Sequence, residues 1–98
     1  MITTKQRAYL RGLGNALEPL AQIGKEGLTD NVIEGVNLLL EARELVKIKV
    51  LRNNDDGSKA TAEELSKKTN SEIVQVIGNI LILYKKSTRK NFKHIQLP

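Results

Sequence analysis

The sequence predicts an α/β domain in which a four-stranded mixed sheet is flanked by three helices, in the order α-β-α-β-α-β-β. Three observations carry that expectation. Apolar residues recur at helical spacing in two separated segments, and between and after them they fall into short strand-like runs. The last two runs are joined by Gly78-Asn79, a two-residue link of hairpin type. Each β-α-β step is also long enough for a crossover. At 98 residues the chain has the size of one domain, spanning 1–98.

The elements follow in order. Thr3 and Gln6 fit a capping box, and Leu10, Leu13 and Leu17 recur on one face of a helix placed from about 4 to 16. Gly12 and Gly14 weaken it, and Pro19 bars its continuation. Pro19-Leu20-Ala21-Gln22-Ile23 reads as a short strand. Thr29 caps the next helix, with Asp30 in its first turn and Val32, Ile33, Val36, Leu39 and Leu40 as its apolar stripe. Leu45 to Leu51 alternates, with Val46, Ile48 and Val50 on a dry face and Lys47 and Lys49 on the other. A helix from about 58 to 69 follows, for which Thr61 and Glu64 offer a capping box. The closing hairpin pairs Ile77 with Ile80. Strict alternation then puts Val74, Val76, Leu81 and Leu83 on one face, and Ile73, Ile77, Ile80, Ile82 and Tyr84 on the other. Both faces are apolar, so both need cover, and the leucine-lined first helix is available for the second. Residues 85–98 read as an aperiodic basic tail, freer than the rest.

Sixteen basic and eleven acidic residues give a net charge of +5, and its distribution is uneven. Residues 1–11 carry Lys5, Arg7 and Arg11 with no acid; residues 85–98 carry Lys85, Lys86, Arg89, Lys90 and Lys93 with no acid. The stretch between them is net negative. If the fold brings the ends together they form one positive surface, the footprint of a polyanion partner. Aromatic residues are limited to Tyr9, Tyr84 and Phe92. A nucleic-acid partner would therefore be held by backbone and shape rather than by bases stacked on rings.

Catalysis lacks its parts. There is no cysteine, which removes thiolate zinc sites, disulfides and cysteine nucleophiles. The single histidine, His94, lies in the basic tail with no carboxylate neighbour in sequence. Adjacent acids such as Asp55-Asp56 do not form a metal-ligand pattern. No cofactor, metal or small-molecule substrate is expected. No apolar run could span a membrane and no signal-type segment precedes the first helix, so a cytoplasmic location is expected.

One motif has a binding mechanism. Gly24-Lys25-Glu26-Gly27 joins the first strand to the second helix, with Thr29 at the helix start. Two glycines three apart let the backbone pass close to a phosphodiester chain, and free N–H groups of loop and helix can meet an anion. Lys25 favours that reading; Glu26 and Asp30 oppose it and have to point away. The plainer alternative is a strand-to-helix turn that needs glycine for positive φ.

The chain resembles the YhbY family, stand-alone bacterial CRM (chloroplast RNA splicing and ribosome maturation) domains. The resemblance is carried by Leu10-Arg11-Gly12-Leu13, by Leu20 to Thr29 with its Ile-Gly-Lys-Glu-Gly-Leu-Thr run, and by Glu44 to Val50. Val74 to Gly78, Leu81 to Tyr84 and Ile95-Gln96-Leu97-Pro98 complete it, so it covers essentially the whole chain. Lys85 stands where the family usually has arginine. The resemblance implies a fold similar to the C-terminal domain of translation initiation factor three. It also implies RNA binding, with ribosomal RNA and the precursor large ribosomal subunit as partners; separately, a monomer is expected. The expected RNA contacts are Gly24, Lys25, Glu26, Gly27 and Thr29 in the loop, with Arg7, Arg11, Lys47, Lys49, Lys85, Lys86, Arg89 and Lys90 as the basic field. The alternative is a protein-interaction module docking on acidic ribosomal or translation factors.

Overall fold

The structure is a computed structural model that describes residues 1–98. Its elements follow the expected order: α1 Thr4–Asn15, β1 Ala21–Ile23, α2 Asp30–Arg43, β2 Leu45–Val50, α3 Gly57–Thr69, β3 Glu72–Ile77 and β4 Ile80–Tyr84. The sheet order is β1-β2-β4-β3. β1 and β2 are parallel, and β4 runs antiparallel to both its neighbours. β4 is thus inserted between two strands of like direction, and the β2-α3-β3 connection crosses it.

Two of the three helix starts follow their expected caps. Gln6 N donates to Thr3 Oγ1 at 3.1 Å while Thr3 N donates to Gln6 Oε1 at 2.9 Å. Val32 N donates to Thr29 Oγ1 at 3.2 Å. The third start stands near 58, but the Thr61–Glu64 box does not cap it. Asn54 does: its Oδ1 accepts from Asp56 N and Gly57 N, each at 3.1 Å, and from the Thr61 hydroxyl at 3.4 Å. A short polar side chain that captures backbone N–H groups two and three residues on starts the turn early. Thr61 is left buried one turn inside the helix.

The sheet is buried on both sides. On one side Val46, Ile48, Val50, Leu81 and Leu83 meet Val36 and Leu40 of α2 and Ala62 and Leu65 of α3. On the other, Leu10 of α1 packs with Leu45, Val74, Ile82 and Tyr84. The Ile77–Ile80 register is as expected, with Gly78 at φ 56° in the turn. Strict alternation fails upstream. Pairing passes from Ile73–Leu83 to Gln75–Ile82, so Val74 is an extra residue. Such a bulge reverses the side-chain sense locally. Ile73 therefore joins the α2–α3 side and Val74 the α1 side, the reverse of the expected assignment.

α1 meets the sheet through less of its surface than its leucines suggest. Leu10 is fully buried, but Leu13 and Leu17 remain 38% and 39% exposed. The closest approach is made by Gly14, where a Cβ would stand 2.7 Å from Ile82 Cδ1.

The tail is not free. Glu44 ends α2 at φ 66° and is completely buried. Its carboxylate accepts from Ser87 N at 2.7 Å, Ile95 N at 2.7 Å and His94 Nδ1 at 2.6 Å. His94 has no carboxylate neighbour in the sequence; the fold supplies one. One turn earlier, the Glu41 carboxylate accepts from Thr88 N at 2.9 Å and the Thr88 hydroxyl at 2.8 Å, and the Ser87 hydroxyl donates its one proton between Glu41 O at 2.7 Å and Oε2 at 3.0 Å. Ile95 and Leu97 then pack against the Leu10 cluster, and Gln6 Nε2 donates to Pro98 O at 3.1 Å. Residues 85–98 form a strap that joins both ends of the chain.

Burial pushes the Glu44 carboxyl up, but the hydrogen bonds from His94, Ser87 and Ile95 outweigh it and leave it below the usual glutamate range. Glu41 is lowered too, first by the Thr88 N–H and then by its hydroxyl. Both groups bind protons less readily folded than unfolded. Their stabilisation is complete above the ordinary glutamate pKa of about 4.3 and is lost as pH falls through the lowered folded values. Urea midpoints should therefore drop as pH is taken below about 4.3, and Glu44→Gln should flatten that fall. A midpoint constant into that range would mean that the ionisation of these two carboxylates adds nothing to stability. A second expectation concerns α1. Gly12 faces open space, so Gly12→Ala should stabilise by about 0.5–1 kcal/mol. Gly14→Ala has to displace Ile82 and should unfold at lower urea than the parent; equal gains at the two positions would contradict the close contact.

Candidate nucleic-acid interface

The Gly24–Gly27 loop leaves the sheet at the end of β1. Gly24 O accepts from Gly27 N at 3.1 Å and from Asn54 Nδ2 at 2.9 Å, which closes one turn and ties it to the loop after β2. Gly27 sits at φ 70°, where a side chain would be strained. Gly24 instead lies close to the Leu51 side chain, at 3.5 Å from where its Cβ would be. The expected row of outward donors is only partly present. Gly27 N is engaged by Gly24 O, and Thr29 N by Gly27 O at 3.2 Å. The N–H groups of Lys25, Glu26 and Leu28 bond to nothing in the protein, nor do those of Asp30 and Asn31 at the start of α2. Thr29 Oγ1 accepts the cap bond, which leaves its hydroxyl proton to offer. Lys25 and Glu26 are both exposed. Glu26 makes no ion pair, so its charge subtracts from the field of Lys25.

The other expected residues fall into two groups. Arg7 and Arg11 lie on α1. Arg7 is half-buried and donates from Nε to Ile73 O at 3.1 Å, so part of its guanidinium ties α1 to the edge strand β3; Arg11 is exposed. Lys47 and Lys49 lie opposite Ile82 and Ile80, which places both on the α1 side of the sheet, half-buried. The strap holds the rest. Lys85 is half-buried, whereas Lys86, Arg89 and Lys90 are exposed. Lys85 and Lys86 also border an open cleft of about 510 Å³ shared with Ile2, Gln6, Asn70 and Tyr84.

The loop and the strap stand at opposite ends of β2, with Lys47 and Lys49 along the strand between them. Ile23 pairs with Val50, so the glycine loop lies beyond the C-terminal end of β2. Leu45 pairs with Tyr84, so the strap begins beside its N-terminal end. Five residue steps of strand separate the two ends, or about 17 Å. The fold does join the chain termini, through Gln6 and Pro98, but at the end opposite the loop.

One feature is common to the nine basic residues among these positions and to every other lysine and arginine. No lysine or arginine in the protein pairs with a carboxylate; the ion pairs are Met1 N-terminus with Glu72 at 3.8 Å and His94 with Glu44. The acids nearest the strap accept from N–H and hydroxyl groups instead. Sequence reasoning missed Glu41, Glu44 and Asn54. Glu44 stood inside a stretch shared with the family, but its partners lie 43, 50 and 51 residues away. Asn54 had a local signal, since asparagine three residues before a helix start is a turn former.

Comparison with known proteins agrees with this fold. The CRS1 / YhbY (CRM) domain model matches residues 2–85. A Bacillus subtilis protein named "Probable RNA-binding protein YqeI" is 45% identical over 98 residues, covering 100% of both chains. A Haemophilus influenzae protein named "RNA-binding protein" is 34% identical over 97 residues, 99% of this chain and 95% of its own. The solution structure of the Staphylococcus aureus protein SAV1595 superposes with a TM-score of 0.82 at 47% identity, over 100% of both chains. On family match, relatives and fold together, the chain belongs to the CRS1/YhbY (CRM) domain family.

Proposed function

We propose that this protein is a non-enzymatic RNA-binding protein, a single CRM domain that grips structured ribosomal RNA by its backbone. The observation that carries this reading is the set of sixteen lysines and arginines, none in an ion pair with a carboxylate. A folded surface that leaves every such cation unpaired favours a polyanion, and counterion release then supplies much of the affinity. Relatives named as RNA-binding proteins favour RNA over other polyanions. The free N–H groups of the glycine loop and the start of α2, with Lys25, would meet one phosphate run. Arg11, Lys47 and Lys49 on the α1 side, and Lys86, Arg89 and Lys90 on the strap, would meet others. The family resemblance extends the proposal to precursor large ribosomal subunits, whose assembly the protein would assist as a cytoplasmic monomer.

Filter binding to precursor large-subunit RNA tests the grip. If about five phosphates are neutralised, log K against log salt should slope by roughly −3.5 to −4.5. A slope near zero overturns backbone capture and turns attention to an acidic protein partner. Crosslinking in cells should recover large-subunit RNA; recovery confined to other RNAs overturns the ribosomal part.

Lys25→Asp tests the loop. Both glycines remain and the residue is exposed, so stability should change by less than about 0.5 kcal/mol. Binding should weaken by about 1–3 kcal/mol, or up to roughly a hundredfold. Lys67→Asp makes the same charge change on α3, two residues from buried Leu65 and so on the side turned from the sheet. It should cost clearly less. Equal losses would reduce the loop to an ordinary turn.

A further inference from the structure

We infer that Glu41 and Glu44, although acidic, strengthen the binding of RNA because they hold the strap's cations in place. This inference rests on the RNA-binding reading above. The two residues stand three apart at the end of α2, Glu44 just past its last turn, and both side chains reach Ser87. Between them they accept from Ser87, Thr88, His94 and Ile95. Those four residues flank Arg89, Lys90, Asn91, Phe92 and Lys93. The carboxylates thus close a five-residue loop from both ends, and three of its residues are basic. Asn91 takes φ 59° within it, and Arg89 N donates to Ser87 Oγ at 3.2 Å.

What makes the arrangement informative is the choice of donors. Neither carboxylate forms an ion pair with a strap lysine or arginine. Both engage N–H, hydroxyl and imidazole groups, so the strap is fixed while its cations stay available. A carboxylate that captured Arg89 or Lys90 would fix the strap equally well and remove the charge that RNA needs. A loop already fixed avoids the ordering entropy that a free basic tail loses on binding. Glu41 and Glu44 are therefore positioning residues; they need not touch RNA.

Charge alone and positioning predict opposite signs. Removing a negative charge near a polyanion should tighten binding. Removing a latch should weaken it. Affinity for precursor large-subunit RNA is measured across a salt series for the parent protein, Glu41→Gln, Glu44→Gln, Glu41→Asp and Ser87→Ala, each checked by circular dichroism. Glu41→Gln should bind about three- to tenfold more weakly, with a salt slope shallower by about one to two. Ser87→Ala changes no charge, yet it should weaken binding in the same way. Glu41→Asp keeps the carboxylate and should recover part of the loss. A purely structural role would leave the slope of the folded protein unchanged. If buried Glu44→Gln does not fold, Glu41→Gln and Ser87→Ala carry the test. Unchanged or tighter binding by those two overturns the inference while leaving RNA binding intact; a parent protein that binds no RNA overturns both.

Discussion

Strand β4 is apolar on both faces, and most of the architecture follows from the need to cover it. Leu81 and Leu83 are buried under α2 and α3, while Ile82 and Tyr84 point the other way. A single helical layer cannot serve both sides. α1 supplies the second layer, but it is short and touches the sheet chiefly through Leu10 and Gly14. The remaining cover comes from Ile95 and Leu97 at the end of the strap. The strap therefore has a structural duty to Tyr84 and Leu45 as well as a charge to display. Its path past the end of α2 brings Ser87 and His94 to Glu44.

A buried carboxylate is stable only when its hydrogen-bonding capacity is filled. Glu44 meets that condition with two backbone N–H groups and an imidazole, and no buried polar side-chain atom in the protein lacks a partner. Its backbone takes a positive φ that costs on the order of 1 kcal/mol or more for a residue with a side chain. Three contacts compensate: Glu44 N donates to Leu40 O at 2.8 Å, Lys85 N donates to Glu44 O at 2.9 Å, and the carboxylate holds the strap. The same carboxylate lifts the Tyr84 hydroxyl above its ordinary range, after burial, which is the larger cause. Core packing, chain reversal and strap geometry thus meet at one residue.

Much of this was legible in the sequence because it is local. Helix caps at Thr3 and Thr29, the alternation of Val46, Ile48 and Val50, and the Gly78 turn each depend on residues a few positions apart. The errors came where distant parts decide. The bulge at Val74 is set by pairing with β4 and breaks a period-two pattern that looked intact. Leu13 and Leu17 have the spacing of core residues but lie beyond the edge of what α1 covers. The strap looked unstructured because its order is imposed by Glu41 and Glu44, more than forty residues away. For the candidate interface, residue types and the glycine loop could be read in advance. Their division between two ends of the sheet could not, since it depends on strand register.

That division bears on which RNA such a surface can hold. The loop and the start of the strap stand about 17 Å apart along β2, twice the Debye length of about 8 Å at physiological salt. Direct coupling between charges at the two ends is therefore largely screened. The two ends act together through a ligand that reaches both, where the second contact becomes intramolecular and benefits from a high effective concentration. A flexible strand loses conformational entropy when it is stretched between two fixed points. A folded RNA already holds phosphates at set distances and loses less. The scarcity of aromatic side chains works in the same direction, because unstacked bases would find few rings to rest on. Under the proposed function, selectivity for structured RNA can thus arise with little reading of bases, from the free N–H groups of the loop and the cations of the strap, held at a fixed spacing by a rigid sheet.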